Sequence, residues 1–283
     1  MRSDAARIVG FTASCVAASA VGLPGMPEPR GQWLVLLAAF GLLGALLAVL
    51  TRSLPGTRRS RAVLLAGAVF GIMQLGTLVE YAVFSTAPPA EIVRRLASGL
   101  CATVLFLGLA TWLFRGPAET AAVVAPPRFG VFGRAWRAVV ATLAYVVLYL
   151  VVGAIAFQFT APFYTDPAYG LDLQVPGLGA ILITQFLRVP IFLCALWPLV
   201  GRLAMPRGRA ALLGGAVLFL LGGLVPLLAV TEWPARLRIY HSIEIFLQNA
   251  PTGMLIAWLG TRRVEETAFG RDRGRAPAAA AAP

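Results

Sequence analysis

Lysine is absent from this 283-residue chain, histidine occurs once, at His241, and cysteine only three times. Without lysine there can be no Walker A loop of the usual form, no retinal or pyridoxal Schiff base and no catalytic lysine. One histidine cannot ligate a haem from both sides, which separates the chain from the haem-inserting enzymes of respiratory membranes. Cys15, Cys101 and Cys194 stand singly in apolar stretches, so neither a disulfide framework nor a thiolate metal cluster is indicated. No Gly-x-Ser-x-Gly elbow occurs, which argues against a serine hydrolase. No metal and no cofactor is expected.

Charge of either sign is also scarce. Only 13% of residues are charged, 59% are hydrophobic and the mean hydropathy is +0.80, too little polar surface to cover a soluble domain of this size. A membrane-spanning helix needs roughly 20 mostly apolar residues, and 138–165 offers 28 without one charged side chain. The sequence predicts an all-α, polytopic membrane protein with about eight transmembrane helices, near 7–24, 32–51, 62–84, 93–114, 137–159, 178–200, 210–230 and 242–261. The small residues Ala17-Ala18-Ser19-Ala20 also allow the first span to be read as a cleavable secretory signal.

The net charge of +12 is all arginine and falls on alternate connections. Arg2 and Arg7, Arg52 to Arg61, Arg115 to Arg137, Arg202 to Arg209, and Arg262 to Arg275 hold 18 of the 24 arginines. The opposite connections carry Glu28, Glu91, Asp166, Asp172 and Glu232. That bias places both termini on the cytoplasmic side of a bacterial-type inner membrane. Anionic lipid of the bilayer is the natural counter-charge, and nucleic acid, which would need the charge on one face, is not a partner.

The chain also repeats itself. Residues 59–69 (RSRAVLLAGAV) and 207–217 (RGRAALLGGAV) share eight of eleven positions, and Trp112 and Trp258 lie 146 apart. The economical reading is a tandem duplication: a four-helix unit in 1–116, a cytoplasmic linker in 117–135, a second four-helix unit in 136–263 and a disordered tail in 264–283. An even number of helices keeps both units in one orientation, with a pseudo-twofold axis along the membrane normal.

Ionisable residues in hydrocarbon are costly and usually face a bundle interior or a wet cavity. Arg188 falls near the middle of span six, one turn after Gln185, so both share a face. Glu80 falls near the outer end of span three. His241, Glu244 and Gln248 share a face at the outer start of span eight, with Asn249 adjoining. These positions suggest an outward-opening polar cavity in which Arg188 pairs with Glu80 or Glu244. Pro190 follows Arg188, and Pro251 and Gly253 follow Asn249, so both sites adjoin a loosened helix that can serve as a hinge. Gly67 and Gly71 form a GxxxG in span three.

The connection 160–176 is acidic and lacks helical periodicity; its Phe163, Tyr164 and Tyr169 suit an interfacial aromatic belt or a cover over the cavity. Glu265-Glu266-Thr-Ala-Phe-Gly-Arg271 resembles the glutamate pair of membrane-embedded CAAX-type proteases. In that family the pair lies inside a spanning helix followed by histidine-bearing helices. Here it lies in the tail with no histidine after it, so nothing is carried over. Three functions remain: a carrier or permease for a small anionic or zwitterionic solute or a lipid, a non-catalytic subunit held by other membrane subunits, and a lipid-modifying enzyme. In the first, Arg188 binds the solute, and Glu80 and Glu244 act as gating or proton-linked acids.

Overall fold

A computed structural model describes residues 3–114 and 129–261. Among them the chain folds into eight helical rods: α1 (Asp4–Ala20), α2 (Trp33–Ser53), α3 (Arg58–Phe84), α4 (Pro89–Leu113), α5 (Val131–Thr165), α6 (Leu178–Val200), α7 (Arg207–Ala229) and α8 (Ala235–Gly260). Six of them, α2 to α7, are long and apolar enough to cross a membrane, which makes this a multi-pass membrane protein. The other two differ for visible reasons. Helix α1 has only 17 residues, and α8 carries Arg236, Arg238, His241, Glu244, Gln248 and Asn249 along its first half.

Helix starts follow local chemistry. The Ser3 and Thr57 side chains accept the backbone N–H groups of Ala6 and Ser60, at 3.3 and 3.2 Å, and proline marks the entrances of α4, α7 and α8 at Pro88-Pro89, Pro206 and Pro234. Most rods therefore begin earlier than apolarity alone suggests, with arginines in their first turns. Helix α5 departs furthest: it begins at Val131, inside the expected linker, and runs on to Thr165 through the stretch expected to be irregular. The helix continues through Pro162, whose carbonyl accepts the Asp166 N–H at 2.9 Å. Beyond it, Asp166 accepts from the Ala168 N–H at 2.8 Å in a short 3₁₀ turn that Gly170 ends at φ +59°. The rest of the linker, the tail and the Glu265-Glu266 pair lie outside the described residues.

Two irregular stretches interrupt the rods. Val69–Gly76 in α3 and Leu220–Leu224 in α7 are π-helical, each accommodating extra backbone in the middle of an apolar helix. By contrast α6 and α8 remain helical through Pro190 and Pro251, where the sequence suggested breaks.

Lipid is as apolar as leucine, so the rods are held by close packing and not by the hydrophobic effect. Phe11, Phe40, Phe106 and Phe114 interlock α1, α2 and α4 at centroid separations of 5.9 to 6.3 Å. Phe11 and Cys15 are fully buried there, so α1 is part of the core. Helices α7 and α8 cross backbone to backbone at Gly214, Gly215 and Gly253: a Cβ on Gly215 would lie 2.8 Å from the Ala250 carbonyl oxygen. Gly253 is thus a packing residue in an unbroken helix. In α3, Gly71 and Gly76 seat Ala195 and Phe192 of α6, while Gly67 faces open space, so the GxxxG does not act as a pair.

The four-helix groups α1–α4 and α5–α8 meet reciprocally, with α2 against the end of α7 and α6 against α3. Their connections are clasped at one end of the bundle. Gln32 donates to the Thr231 carbonyl at 2.6 Å, and the Thr231 hydroxyl donates to the Glu28 carbonyl at 2.8 Å. On the other side Gln174 donates to the carbonyls of Val83 and Ser85 at 3.0 and 2.9 Å, beside the isolated antiparallel bridge of Ser85 with Leu173.

Candidate functional site

Between the two groups, at the clasped end, lies a cavity of about 960 Å³. Its wall is built from α3 to α8 and from the connections around Met26, Leu173 and Trp233. Arg188 is at its base, 2% exposed. Its Nη1 lies 2.8 Å from Glu80 Oε1 and 3.1 Å from Gln185 Oε1, and its guanidinium stands 5.3 Å from the Phe192 ring and 5.9 Å from that of Tyr145. Of the two acids the sequence offered Arg188, Glu80 is the partner. This pair joins the two halves, since Glu80 stands on α3 and Arg188 on α6. The π segment ends four residues before Glu80, and its extra backbone sets the face on which that carboxylate emerges.

Glu244 is engaged elsewhere. Its Oε2 lies 2.7 Å from His241 Nδ1, and its Oε1 accepts from Gln248 Nε2 at 3.1 Å. The other imidazole nitrogen, Nε2, lies 3.0 Å from the Tyr164 hydroxyl. Gln248 also reaches the Tyr149 carbonyl at 3.5 Å, while the Tyr149 hydroxyl donates to Glu80 Oε1 at 3.2 Å. Two polar runs therefore meet at Tyr149: Tyr164, His241, Glu244 and Gln248 end on its backbone carbonyl, and its hydroxyl begins the run through Glu80 and Arg188 to Gln185. Asn249 lines the cavity but spends its amide N–H groups on the carbonyls of Gly222 and Leu218, at 3.1 and 3.4 Å, tying α8 to the π segment of α7. Pro190, Pro251 and Gly253 are not on the cavity wall.

At the rim Glu91 holds Arg94 and Arg95 at 2.6 and 2.8 Å, and Arg95 covers the Tyr81 ring. Sequence reasoning passed over Tyr149, and placed Tyr164 in an irregular connection, as part of an interfacial belt or of a cover over the cavity. Their signal was present: Tyr149, Gly153, Thr160 and Tyr164 recur at helical spacing, and all line the cavity.

Six buried side-chain polar atoms among the described residues have no protein partner. Four of them, Arg188 Nε, Gln185 Nε2, Tyr145 Oη and Thr77 Oγ1, belong to residues around the Arg188–Glu80 pair. Buried polar groups rarely go unmatched; Arg188 and Thr77 are on the cavity wall, while Gln185 and Tyr145 flank Arg188 away from it. All four atoms are donors or hydroxyls, which suits an acceptor-rich guest. Among the described residues no group of three His, Cys, Asp or Glu is placed to hold a metal ion. Compared with known proteins, the chain matches no family profile, and no curated protein or solved structure is significantly similar to it.

Proposed function

We infer that this protein is a carrier of the inner-membrane type, which takes a small anionic or zwitterionic solute, or a lipid bearing such a head, into the cavity between its two halves. The observation that carries the reading is the cluster of unmatched donors around a buried arginine whose counter-ion belongs to the other half. A guest carboxylate or phosphate that takes Arg188 from Glu80 opens the contact between the halves as it binds. Binding and rearrangement are then one event, as a carrier requires.

The reading includes eight spans, both termini cytoplasmic and two duplicated four-helix units. Several observations support the duplication. The sequence match places residue 59 opposite 207, and on that offset the two π segments end at equivalent positions, Gly76 and Leu224. The two clasps exchange partners as a twofold axis would, Gln32 with Thr231 and Gln174 with Ser85. Ser85 and Thr231 lie 146 residues apart, the separation of Trp112 and Trp258.

The test is native mass spectrometry of gently extracted protein beside its Arg188→Ala variant. A bound solute or lipid in fixed ratio, lost in the variant while membrane insertion is normal, is the expected result. A second protein chain in fixed ratio would replace the carrier by a subunit of a larger assembly. Equal retention by both proteins would remove Arg188 from the site.

A further inference from the structure

We propose that Tyr164, His241 and Glu244 form a proton-loading site on the cavity wall, so that an anionic guest enters together with a proton. What the proton accompanies rests on the carrier reading; where it binds rests on the side chains alone.

A carboxylate has no hydrogen to give, so the 2.7 Å contact of Glu244 Oε2 with His241 Nδ1 fixes the neutral imidazole with its hydrogen on Nδ1. The lone pair on Nε2 then faces the Tyr164 hydroxyl, which donates to it across 3.0 Å. A hydronium at the mouth gives its proton to Nε2 and leaves as water. The Tyr164 hydroxyl turns so that its oxygen accepts the new N–H, and the imidazolium stands beside Glu244 as an ion pair. No other bond forms or breaks.

Charge couples this site to the base of the cavity. With neutral His241 the interior holds the Arg188 guanidinium against the carboxylates of Glu80 and Glu244. An anion that displaces Glu80 from Arg188 adds a further negative charge to that partly desolvated space, and a proton on His241 cancels it. Guest and proton therefore favour each other, each strengthening the binding of the other by the same factor. The coupling is electrostatic, since between the sites Gln248 meets the Tyr149 backbone carbonyl while Glu80 is met by the Tyr149 hydroxyl.

Other charges near His241 are few. Helix α5 contributes Tyr164, and α8 itself contributes Glu244 and Arg238, the latter turned to Gln32. The connection before α8 contributes Trp233, its ring 5.8 Å from the imidazole, and Glu232 on the cavity wall. Across the cavity Arg94 and Arg95 are held by Glu91.

The single histidine makes the test direct. The full chain, labelled with ¹⁵N-histidine and reconstituted in phosphatidylcholine–phosphatidylglycerol vesicles, gives one pair of ring-nitrogen resonances by solid-state NMR. In samples taken from about pH 8 down to about pH 5, imidazolium signals appearing beside the Nδ1–H neutral form are the expected result. Tyr164→Phe should leave the tautomer unchanged and move the Nε2 shift, reporting loss of one hydrogen bond. Glu80→Gln should lower the imidazolium fraction at an intermediate pH by roughly threefold, the scale of one charge acting through a partly hydrated interior. A neutral Nε2–H form, no imidazolium across that range, or a Glu80→Gln spectrum identical to the parent would each overturn the proposal. Guest retention that depends on Arg188 is read separately, so loss of the carrier reading leaves these spectra unchanged, and the converse holds.

Discussion

Arg188 is a full charge placed where solvation is poorest, and Glu80 is what makes that tolerable. Removing one member of such a pair strands the other, typically at a cost of about 3–5 kcal/mol, whereas replacing both with apolar groups is close to neutral. Glu80→Ala should therefore lower the thermal midpoint in detergent markedly, and the double variant Glu80→Leu/Arg188→Met should recover most of the loss. A double variant no more stable than Glu80→Ala would show that the loss does not come from stranding Arg188. At this scale much of the site was legible: so few polar residues interrupt the spans that Arg188, Gln185, Glu80, His241, Glu244, Gln248 and Asn249 stand out on inventory alone. The choice of partner was not, because Glu80 and Glu244 lie at similar depth and only the fold decides which meets Arg188. Tyr164 was misplaced for a backbone reason: helix α5 continues past Pro162, turning a residue assigned to a loop into the last rung of a helical face.

The rods were readable because apolar runs and arginine clusters mark their middles and ends. The π turns were not. An extra residue shows in sequence only when it shifts an apolar stripe, and through the affected turns α7 is apolar on every side while α3 carries Gln74 alone as a polar mark. Their effect on the site can be isolated. Deleting Leu75 lets the segment close as regular α-helix with the helix beyond it keeping its orientation, whereas inserting an alanine after Gly76 rotates Glu80 by about 100° relative to the first half of α3. The insertion variant is expected to lose its bound guest in native mass spectra as Arg188→Ala does, while the deletion variant retains it. Retention after the insertion would mean that the facing of Glu80 does not matter to the guest. The crossing of α7 and α8 teaches the complementary lesson: Gly253 next to Pro251 reads as flexibility in one dimension, yet its missing side chain is what lets Gly214 approach.

Across the whole molecule, the arrangement predicts opposite labelling of its two ends. On a background lacking Cys15, Cys101 and Cys194, a cysteine at Asp166 should react with an impermeant reagent from the outer side and one at Arg128 only from the inner side. Reaction of both from one side would overturn the orientation drawn from arginine placement. The buried cation, its counter-ion and the only histidine all face the part of the cavity wall shared by α3, α5, α6 and α8. The clasps carry a consequence for biogenesis. Glu28 and Gln32 leave the ribosome about two hundred residues ahead of Thr231, which completes their hydrogen bonds. Until the residues after α7 are in place, the rim of the first half at the clasped end is an unfinished seam, so a chain truncated at the end of α7 leaves the Glu28 carbonyl and the Gln32 amide without partners where membrane quality control would meet them.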